Sequence, residues 1–271
     1  HEAYEDFMVG VLAIPVVCGL KTSRERFAGA TGTLTLEAMM GDGKALQMGT
    51  SHELGQNFAR AFDITYSSAT GTQEHAWTTA WVVSTRMVGG LIMCHGDDHG
   101  LRVPPRLAPI QAYVMVVKAA DGVSEAAAKI RDNLRDAGVR VALDERADIA
   151  FGRRAVDAEL KGYPVRIEVG PRDLAAGNAV LVRRRDGSKT PTPVGDQQGL
   201  YDEALAFREQ HTAEVSTLDE ALEAATTGWA RVPWAAVGAA GEARANEVGV
   251  TVRCRVRPDG SVPDTEDEPD L

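Results

Sequence analysis

The apolar and polar positions of the first fifty residues predict a helix followed by an antiparallel sheet. Residues 2–12 carry apolar side chains at helical spacing, and residues 14–17 form a short apolar run typical of a strand. Residues 33–39 alternate polar and apolar side chains, and residues 44–48 resume as a second strand after the turn Gly41-Asp42-Gly43. Two such runs around a glycine-rich turn predict a β-hairpin.

The following residues predict further helices and a second strand pair. Ser51 is suited to cap a helix that extends to Phe62. Residues 63–66 and 74–79 flank a polar turn, as the strands of a hairpin do. The segment 81–105 then predicts a strand that leads into an apolar helix. This order of elements indicates an α+β domain with an antiparallel sheet backed by helices.

From Ala108-Pro109 onward, strands and helices alternate, which predicts a small α/β domain with a mixed sheet. Helical periodicity returns at residues 200–225. These changes divide the chain into predicted domains at 1–108, 109–198 and 199–271. In the middle domain we expect strands at 113–117, 139–143, 165–169 and 179–183, and helices at 124–137 and 154–161.

The composition is that of a globular protein with an acidic end. Apolar residues make up 44% of 271 residues, which supports a core, and no apolar run reaches the ~18 residues of a membrane span. Three separated cysteines, with no C-x-x-C pair, indicate neither a zinc site nor a disulfide framework and fit a reducing, cytoplasmic location. Of the net charge of −10, the tail after Pro258 carries six acids and no base, which predicts disorder.

The net negative charge argues against nonspecific nucleic-acid binding. Two local basic clusters, Arg153-Arg154 and Arg183–Arg185, are open to two interpretations. Either they meet RNA phosphates, or they form an ordinary solvated face.

Arg86 is a single charge within the apolar segment 81–105. One interpretation is a buried helix whose arginine pairs with a carboxylate, because an unpaired buried charge is costly. The other is an arginine held on a rigid element to bind a phosphate. Farther along, the histidines and aspartates of His95–Gly100 are possible metal ligands, but the intervening glycines favour a tight, self-bonded turn, and we expect no metal site.

Five motifs follow one another along the chain: Phe27–Ala30, Gln47–Phe58, the Arg86 segment, His95–Pro105 and Lys161–Asp173. Together they resemble prolyl-tRNA synthetases of the archaeal/eukaryotic-like type. The resemblance implies the C-terminal part of a class II synthetase catalytic domain, with an antiparallel sheet, followed by a small α/β anticodon-binding domain. It further implies activation of proline by ATP and Mg²⁺ to prolyl-adenylate, transfer of proline to tRNA(Pro), and a homodimer.

The resemblance also implies a site on the first domain. Arg86 would be the catalytic residue, since a guanidinium fork matches phosphate geometry. Adenylate formation needs positioning and charge more than proton transfer, so no general base is expected. The same residues have a structural interpretation, as sheet-edge polar groups, a bonded histidine and a core aromatic. The implied ATP contacts are Gln47, Thr50, Ser84 and Arg86, and the implied proline contacts are Phe27 and His52.

For the second domain, the resemblance implies contacts between the anticodon and four charged residues. Carboxylates and arginines suit the edges of unpaired bases. The alternative is a strand with cross-strand ion pairs. Ala155 stands where the family usually has an aromatic, so a stacking partner is missing at that position. The four residues are Arg154, Glu159, Arg166 and Glu168.

The chain departs from the family in three ways. It starts after the family's first two signatures, it has Cys254 alone where a cysteine-rich zinc module is frequent, and it ends in Asp270-Leu271 where many members end in tyrosine. We expect a fragment of a longer enzyme rather than a truncated paralogue. Three functions stay open: a proline–tRNA ligase, a noncatalytic tRNA-binding paralogue, and a proline-activating enzyme whose acceptor is not tRNA.

Overall fold

The structure is a computed structural model that describes residues 1–146, 148–189, 205–265 and 268. It divides into two compact units. No helix in these described ranges is long and apolar enough to cross a bilayer. The boundaries predicted at 108 and 198 stay predictions, and the structure groups the C-terminal residues with the first sheet. The first unit comprises residues 1–10, 15–90 and 205–271, and the second comprises residues 11–14 and 91–204.

The first unit is built on a four-stranded antiparallel sheet with the strand order β1-β2-β3-β6. The predicted hairpin is confirmed as the pair β2 and β3. A separate two-stranded sheet joins β4 and β5. In chain order the elements are α1 (Glu2–Gly10), β1 (Val16–Leu20), β2 (Gly32–Met39), β3 (Ala45–Gly55), α2 (Asn57–Ala61), β4 (Thr65–Ser67), β5 (Gln73–His75), β6 (Thr78–Val82) and α3 (Arg86–His95).

The strand β3 is longer than predicted. Ser51, predicted as a helix cap, lies within it and pairs with Leu34 of β2 and Trp81 of β6. A strand paired on both sides satisfies its backbone groups without a helix. The capping prediction was therefore wrong, and the helix α2 begins only at Asn57.

The second unit has the mixed sheet that the alternating pattern predicts, with the strand order β10-β9-β7-β8. The strand β7 runs parallel to β8 and β9, and β10 is antiparallel to β9. Both faces of β7 are buried, one under α4 and the other under α5. The elements are β7 (Ala112–Val116), α4 (Val123–Asp136), β8 (Val141–Asp144), α5 (Phe151–Leu160), β9 (Val165–Val169), α6 (Pro171–Ala175) and β10 (Val180–Arg183).

The helix predicted at 200–225 is interrupted. Residues 205–210 are helical, but a strand follows, and a capping box between Thr217 and Glu220 starts a new helix. Residues 200–204 lie outside the described residues. The later elements are β11 (Thr212–Glu214), α7 (Leu218–Ala224), β12 (Trp229–Arg231) and α8 (Trp234–Glu247).

The acidic tail is described as far as residue 265 and again at Glu268. There Arg257 donates to the carboxylates of Asp264 at 2.9 Å and Glu268 at 2.8 Å. This part of the tail therefore folds back on one arginine. The rest of the tail predicted to be disordered lies outside the described residues.

Candidate functional sites

One face of the first sheet collects the polar residues that the sequence singles out. Alternate residues of a strand share a face, and residues directly opposite on a neighbouring strand share it too. Three alternate residues of β2 therefore mark one face, which we call the polar face. Their partners on β3 lie on the same side. The pairs are Thr33 with His52, Thr35 with Thr50, and Glu37 with Gln47.

A β-bulge brings Gln47 onto the polar face. Gln47 and Thr50 are three positions apart, so a regular strand would point them to opposite sides. The pairing shifts between Leu36 and Glu37, which leaves Met48 as an extra residue in β3. Met48 is buried, and a β-carbon on Gly90 of α3 would lie 2.6 Å from its sulfur. The bulge thus sends Met48 to the core and Gln47 to the polar face.

His52 is held by two hydroxyl groups. Its Nδ1 lies 2.9 Å from the Thr33 hydroxyl and its Nε2 lies 2.9 Å from the Thr50 hydroxyl. Burial lowers the pKa of His52 below its ordinary value, so the ring is neutral near pH 7. In a neutral ring one nitrogen donates and the other accepts, and hydroxyls can serve either. The ring is therefore fixed in place without a charge.

Phe27 covers His52 from the loop before β2. The two ring centroids are 5.2 Å apart, and the Phe27 ring stacks on Phe58 of α2 at 6.2 Å. Phe27 is nevertheless 54% exposed, so it is not the ordinary core residue of the structural interpretation. Phe27 and His52 form an apolar wall with an open side.

Arg86 is exposed at the first residue of α3. Its backbone N–H donates to the Ser84 hydroxyl at 3.2 Å, and its Nη1 donates to the Gln47 carbonyl at 3.4 Å. Within the described ranges, no carboxylate forms an ion pair with this guanidinium. The interpretation of a buried, carboxylate-paired arginine is therefore wrong. Since a helix N-terminus carries partial positive charge, Arg86 and the start of α3 together favour an anion.

Three charged residues beside this site, of which Lys21 and Glu37 are buried and Arg253 is partly exposed, are absent from the sequence prediction. Glu37 is fully buried on the polar face and binds Lys21 and Arg253, with N–O distances of 2.8 Å to each. The signal was present in the alternation of β2, because Thr33, Thr35 and Glu37 occupy every second position. The partner at 253 could not be found from local pattern.

The second site is a cavity of about 400 Å³ in the second unit. Its sheet face is the one that α5 covers, because Arg166 and Glu168 alternate with the α4-facing residues of β9. Its charged and aromatic lining includes Asp97, Glu159, Tyr163, Arg166 and residues 183–186. Two of the four residues predicted to contact an anticodon, Glu159 and Arg166, therefore meet in one cavity.

Arg166 is already paired inside this cavity. It donates to Glu159 at 3.0 Å and to Glu168 at 2.9 Å, and its Nη1 also donates to the Ala155 carbonyl at 3.4 Å. The structural interpretation expected cross-strand ion pairs, but here Glu168 lies on the same strand as Arg166 and Glu159 lies on α5. These ion pairs do not test the predicted base contacts, which stay predictions.

Arg154 has almost no exposed surface with which it could contact a base. It is 1% exposed, and it donates to the carbonyls of Ile149 at 3.0 Å and Val116 at 2.8 Å. Asp144 lies 3.7 Å away. In this structure Arg154 ties α5 to the sheet, and its predicted contact with the anticodon stays a prediction.

Asp144 anchors a second group of polar contacts beside Arg154. Burial disfavours its charge, but bonds from Arg146 and Tyr113 prevail and hold its pKa well below the usual range. Burial and, to a smaller extent, the neighbouring Asp144 raise the pKa of Tyr113 to about 12. Both groups therefore keep their usual charge at neutral pH.

The segment His95–Gly100 forms the self-bonded turn that was predicted. Asp97 and Gly100 exchange backbone hydrogen bonds of 3.1 and 3.0 Å, and His95 Nε2 lies 2.8 Å from the Leu12 carbonyl. Asp97 pairs with Arg184 at 2.5 Å. The glycine at 100 is required, because its φ is +122° and a β-carbon would lie 2.5 Å from Leu160.

One other cluster has ligand-type atoms close together. Among the described residues, His1, Glu5 and Cys18 bring one atom each within 4.8 Å of one another. Burial, and then the neighbouring Glu5, raise the pKa of the Cys18 thiol to about 12. The thiolate is the form that binds metals, so a metal bound here would have to displace the thiol proton.

Comparison with known proteins identifies the relatives of this chain. A family model described as "Anticodon binding domain" matches residues 111–198. Over 99% of its length the chain is 57% identical to "Proline--tRNA ligase" of Frankia casuarinae and 54% identical to "Proline--tRNA ligase 2" of Streptomyces avermitilis. The chain is a homologue of the proline–tRNA ligases. A more distant ligase, from Chloroflexus aggregans, is 44% identical over 94% of the chain.

The relatives are longer than this chain. The chain spans 60% of the Frankia and Streptomyces ligases and 57% of the Chloroflexus ligase. The matched anticodon-binding domain coincides with the mixed sheet β7–β10 and its helices. The predicted fold class is thereby confirmed: an antiparallel-sheet part and an anticodon-binding domain of the class II synthetase type.

Proposed function

We propose that this chain carries the ATP- and proline-binding face and the anticodon-binding domain of a proline–tRNA ligase. The observation that carries the proposal is the exposed guanidinium of Arg86 next to a sheet face that also bears Gln47, Thr50 and His52. Homology to proline–tRNA ligases over 99% of the chain supports it.

Arg86 is the proposed phosphate-binding and catalytic residue. Its charge has no carboxylate partner among the described residues, so binding ATP requires no ion pair to be broken. The other proposed ATP contacts are Gln47, Thr50 and Ser84. Ser84 precedes Arg86 by two residues, and Gln47 and Thr50 are residues of β3. The carboxylate oxygen of proline bonds to the α-phosphorus as the bond to pyrophosphate breaks. Arginine stabilises the charge that develops on the phosphate oxygens.

ATP carries Mg²⁺ into such reactions. The groups on the described polar face are better suited to bind ATP than to bind Mg²⁺. Its one buried carboxylate, Glu37, already accepts bonds on both oxygens from Lys21, Thr35 and Arg253. We therefore assign Mg²⁺ to the phosphates and propose no ligand for it on the described polar face.

Phe27 and His52 form the proposed proline pocket. A proline ring is small and apolar, and its ammonium group is cationic. An exposed aromatic ring beside a neutral imidazole suits both properties, since a charged histidine would repel the ammonium group. The two hydroxyl bonds to His52 hold this geometry.

The cavity of the second unit is the proposed site for the tRNA anticodon. Glu159 of α5 and Arg166 of β9 line it as an ion pair, and Arg166 also pairs with Glu168 on the same strand. Base edges can replace some of these internal bonds. Tyr163 lines the same cavity and stacks on Tyr113 at 4.8 Å, so an aromatic surface is present although Ala155 is small. We assign Arg154 a positioning role, because it is buried.

The test is proline-dependent exchange of pyrophosphate into ATP by the full-length protein, together with charging of tRNA(Pro). Exchange and charging together support the proposal. Binding of tRNA without exchange would replace it with a noncatalytic tRNA-binding protein, and exchange without charging would point to another acceptor. The homodimer and the cytoplasmic location stay predictions.

A further inference from the structure

A buried carboxylate lies on the polar face next to the proposed ATP site. Glu37 is fully buried and stands opposite Gln47 in the β2–β3 pairing. Buried charges persist when they are paired and hydrogen-bonded. The partners of Glu37 therefore decide whether this part of the face is stable.

Each oxygen of Glu37 has its own donors. Oε1 accepts from Lys21 Nζ and from the Thr35 hydroxyl, both at 2.8 Å. Oε2 accepts only from Arg253, through Nη2 at 2.8 Å and Nε at 3.2 Å, among the residues that the structure describes. One half of the carboxylate thus depends on an arginine that is 216 positions away in the chain.

The segment that carries Arg253 is fixed to the sheet by its backbone. Arg255 and Leu20 exchange hydrogen bonds of 2.9 and 3.1 Å at the β1 edge. Beside them, a β-carbon on Gly19 would lie 2.7 Å from Cys254 Sγ, so β1 has a glycine where the segment packs most closely. A third contact joins Thr22 to the buried Glu242 of α8 at 2.5 Å. Arg253 therefore lies on a segment that is hydrogen-bonded to the edge of the sheet.

The residue that Arg253 holds borders the bulge. The register shifts between Leu36 and Glu37, and that shift is what turns Gln47 to the polar face. If Oε2 loses its donors, the carboxylate is drawn toward Lys21 and the paired backbone at Gln47 loses its fixed position. Arg86 binds the carbonyl of the same residue, so the disturbance reaches the phosphate side of the site.

We propose that Arg253 is a positioning residue for ATP: by holding Glu37 it keeps the bulge, and with it Gln47 and Arg86, in the geometry that receives the nucleotide. The kinetic part of this proposal rests on the proposed function. The structural part, the dependence of the bulge on Arg253, does not.

The test compares Arg253→Met with Arg244→Met in the full-length protein. Methionine keeps an apolar stem and removes the fork, and Arg244 is an exposed arginine of the same unit that pairs with Asp219 on the surface. In Arg253→Met we expect the KM for ATP to rise about tenfold, as loss of hydrogen bonds to a charged group predicts, with the KM for proline changed less than about twofold. Arg253→Lys, which keeps one donor, should recover part of the loss. Arg244→Met should match the wild type.

Amide hydrogen exchange of the same proteins gives a readout that does not need activity. Faster exchange at residues 35–50 in Arg253→Met, with normal protection in α4 and β7, supports the positioning role. An unchanged KM for ATP together with unchanged protection at 35–50 would overturn it. Equal increases in the KM values for ATP and proline would also overturn it, since they indicate general loss of the fold. Wild-type protein without exchange activity would defeat the proposed function alone, and the amide comparison would still decide the structural claim.

Discussion

The two candidate sites hold their arginines in opposite ways. Beside the polar face, Arg86 is exposed and has no carboxylate partner in the described part of the chain. In the cavity of the second unit, Arg166 is paired with both Glu159 and Glu168. An unpaired cation is ready for an anionic ligand, whereas a paired one must exchange its bonds. The first site therefore suits binding of a charged nucleotide, and the second suits selection among neutral base edges.

This difference predicts the largest functional effect at Arg86. We expect Arg86→Ala to reduce proline-dependent pyrophosphate exchange by about a hundredfold to a thousandfold, the usual cost of a lost charge-stabilising donor. The melting temperature should not change, because the side chain is exposed. Arg60→Ala is the matched control: Arg60 is an exposed arginine of the same unit bonded to Gln56. Normal exchange by Arg86→Ala would remove the phosphate role.

The largest effect on stability is expected at Arg154. Arg154→Met leaves the carbonyls of Ile149 and Val116 without their donor and removes the buried cation 3.7 Å from Asp144, and we expect a loss of about 3–5 kcal/mol in the free energy of unfolding. Denaturant unfolding of the full-length protein measures it. The neighbouring Arg153 is exposed, so Arg153→Met should be within about 0.5 kcal/mol of the wild type. Equal stability of the two variants would contradict the role assigned to Arg154.

Substitution of Arg166 should affect the binding of tRNA more than the activation of proline. We expect Arg166→Ala to raise the KM for tRNA(Pro) about tenfold in charging assays and to leave pyrophosphate exchange unchanged. Some stability should be lost as well, because two carboxylates lose their partner. The control is Arg131→Ala on α4, where the arginine pairs with Asp132 at the surface. If both variants charge tRNA normally, the cavity is not the anticodon site.

A smaller effect is expected at His52. His52→Ala should raise the KM for proline several-fold, about 1 kcal/mol, and change the KM for ATP less, because the ring lies against Phe27 and has no contact with Arg86 among the described residues. His75→Ala, on the separate β4–β5 hairpin, serves as the control. An unchanged KM for proline would make the histidine purely structural.

The pH dependence of His52 is the smallest expected effect. Its folded-state pKa is lowered by burial, so its contribution to stability is present above the unfolded value of about 6.5 and is lost as pH falls toward the folded value. As the pH falls from about 7.5 to about 5.5, we expect the KM for proline to rise, because the imidazole gains a charge. A His52→Gln variant should show a flatter profile. The same slope in both proteins would assign the titration to another group.

The sequence predicts local elements well where pairing and periodicity agree. The β2–β3 hairpin and the alternating strands and helices of the second unit are confirmed for this reason. Ser51 was misplaced because capping chemistry is local, whereas pairing of β3 with β2 and β6 is not. The same limit applies to the contact between Glu37 and Arg253.

For the candidate sites, too, the sequence predicts local features but not the contacts between distant parts of the chain. Motifs locate Gln47 and Arg86 in the chain, but only the bulge at Met48 explains why the side chain of Gln47 and that of Thr50 share a face. Arg154 and Arg166 also look alike in sequence. Arg154 is on the inner side of α5 and does not line the cavity, whereas Arg166 on β9 does, and only the packing of α5 against the sheet determines this difference.

Equilibrium binding of ATP tests the central claim most directly. Titration of full-length wild type, Arg86→Ala and Arg60→Ala separates binding from every later step. If the unpaired guanidinium of Arg86 beside the polar face holds the phosphates, the wild type and Arg60→Ala bind ATP equally, and Arg86→Ala binds at least about tenfold more weakly. Equal affinity of all three proteins would contradict the account.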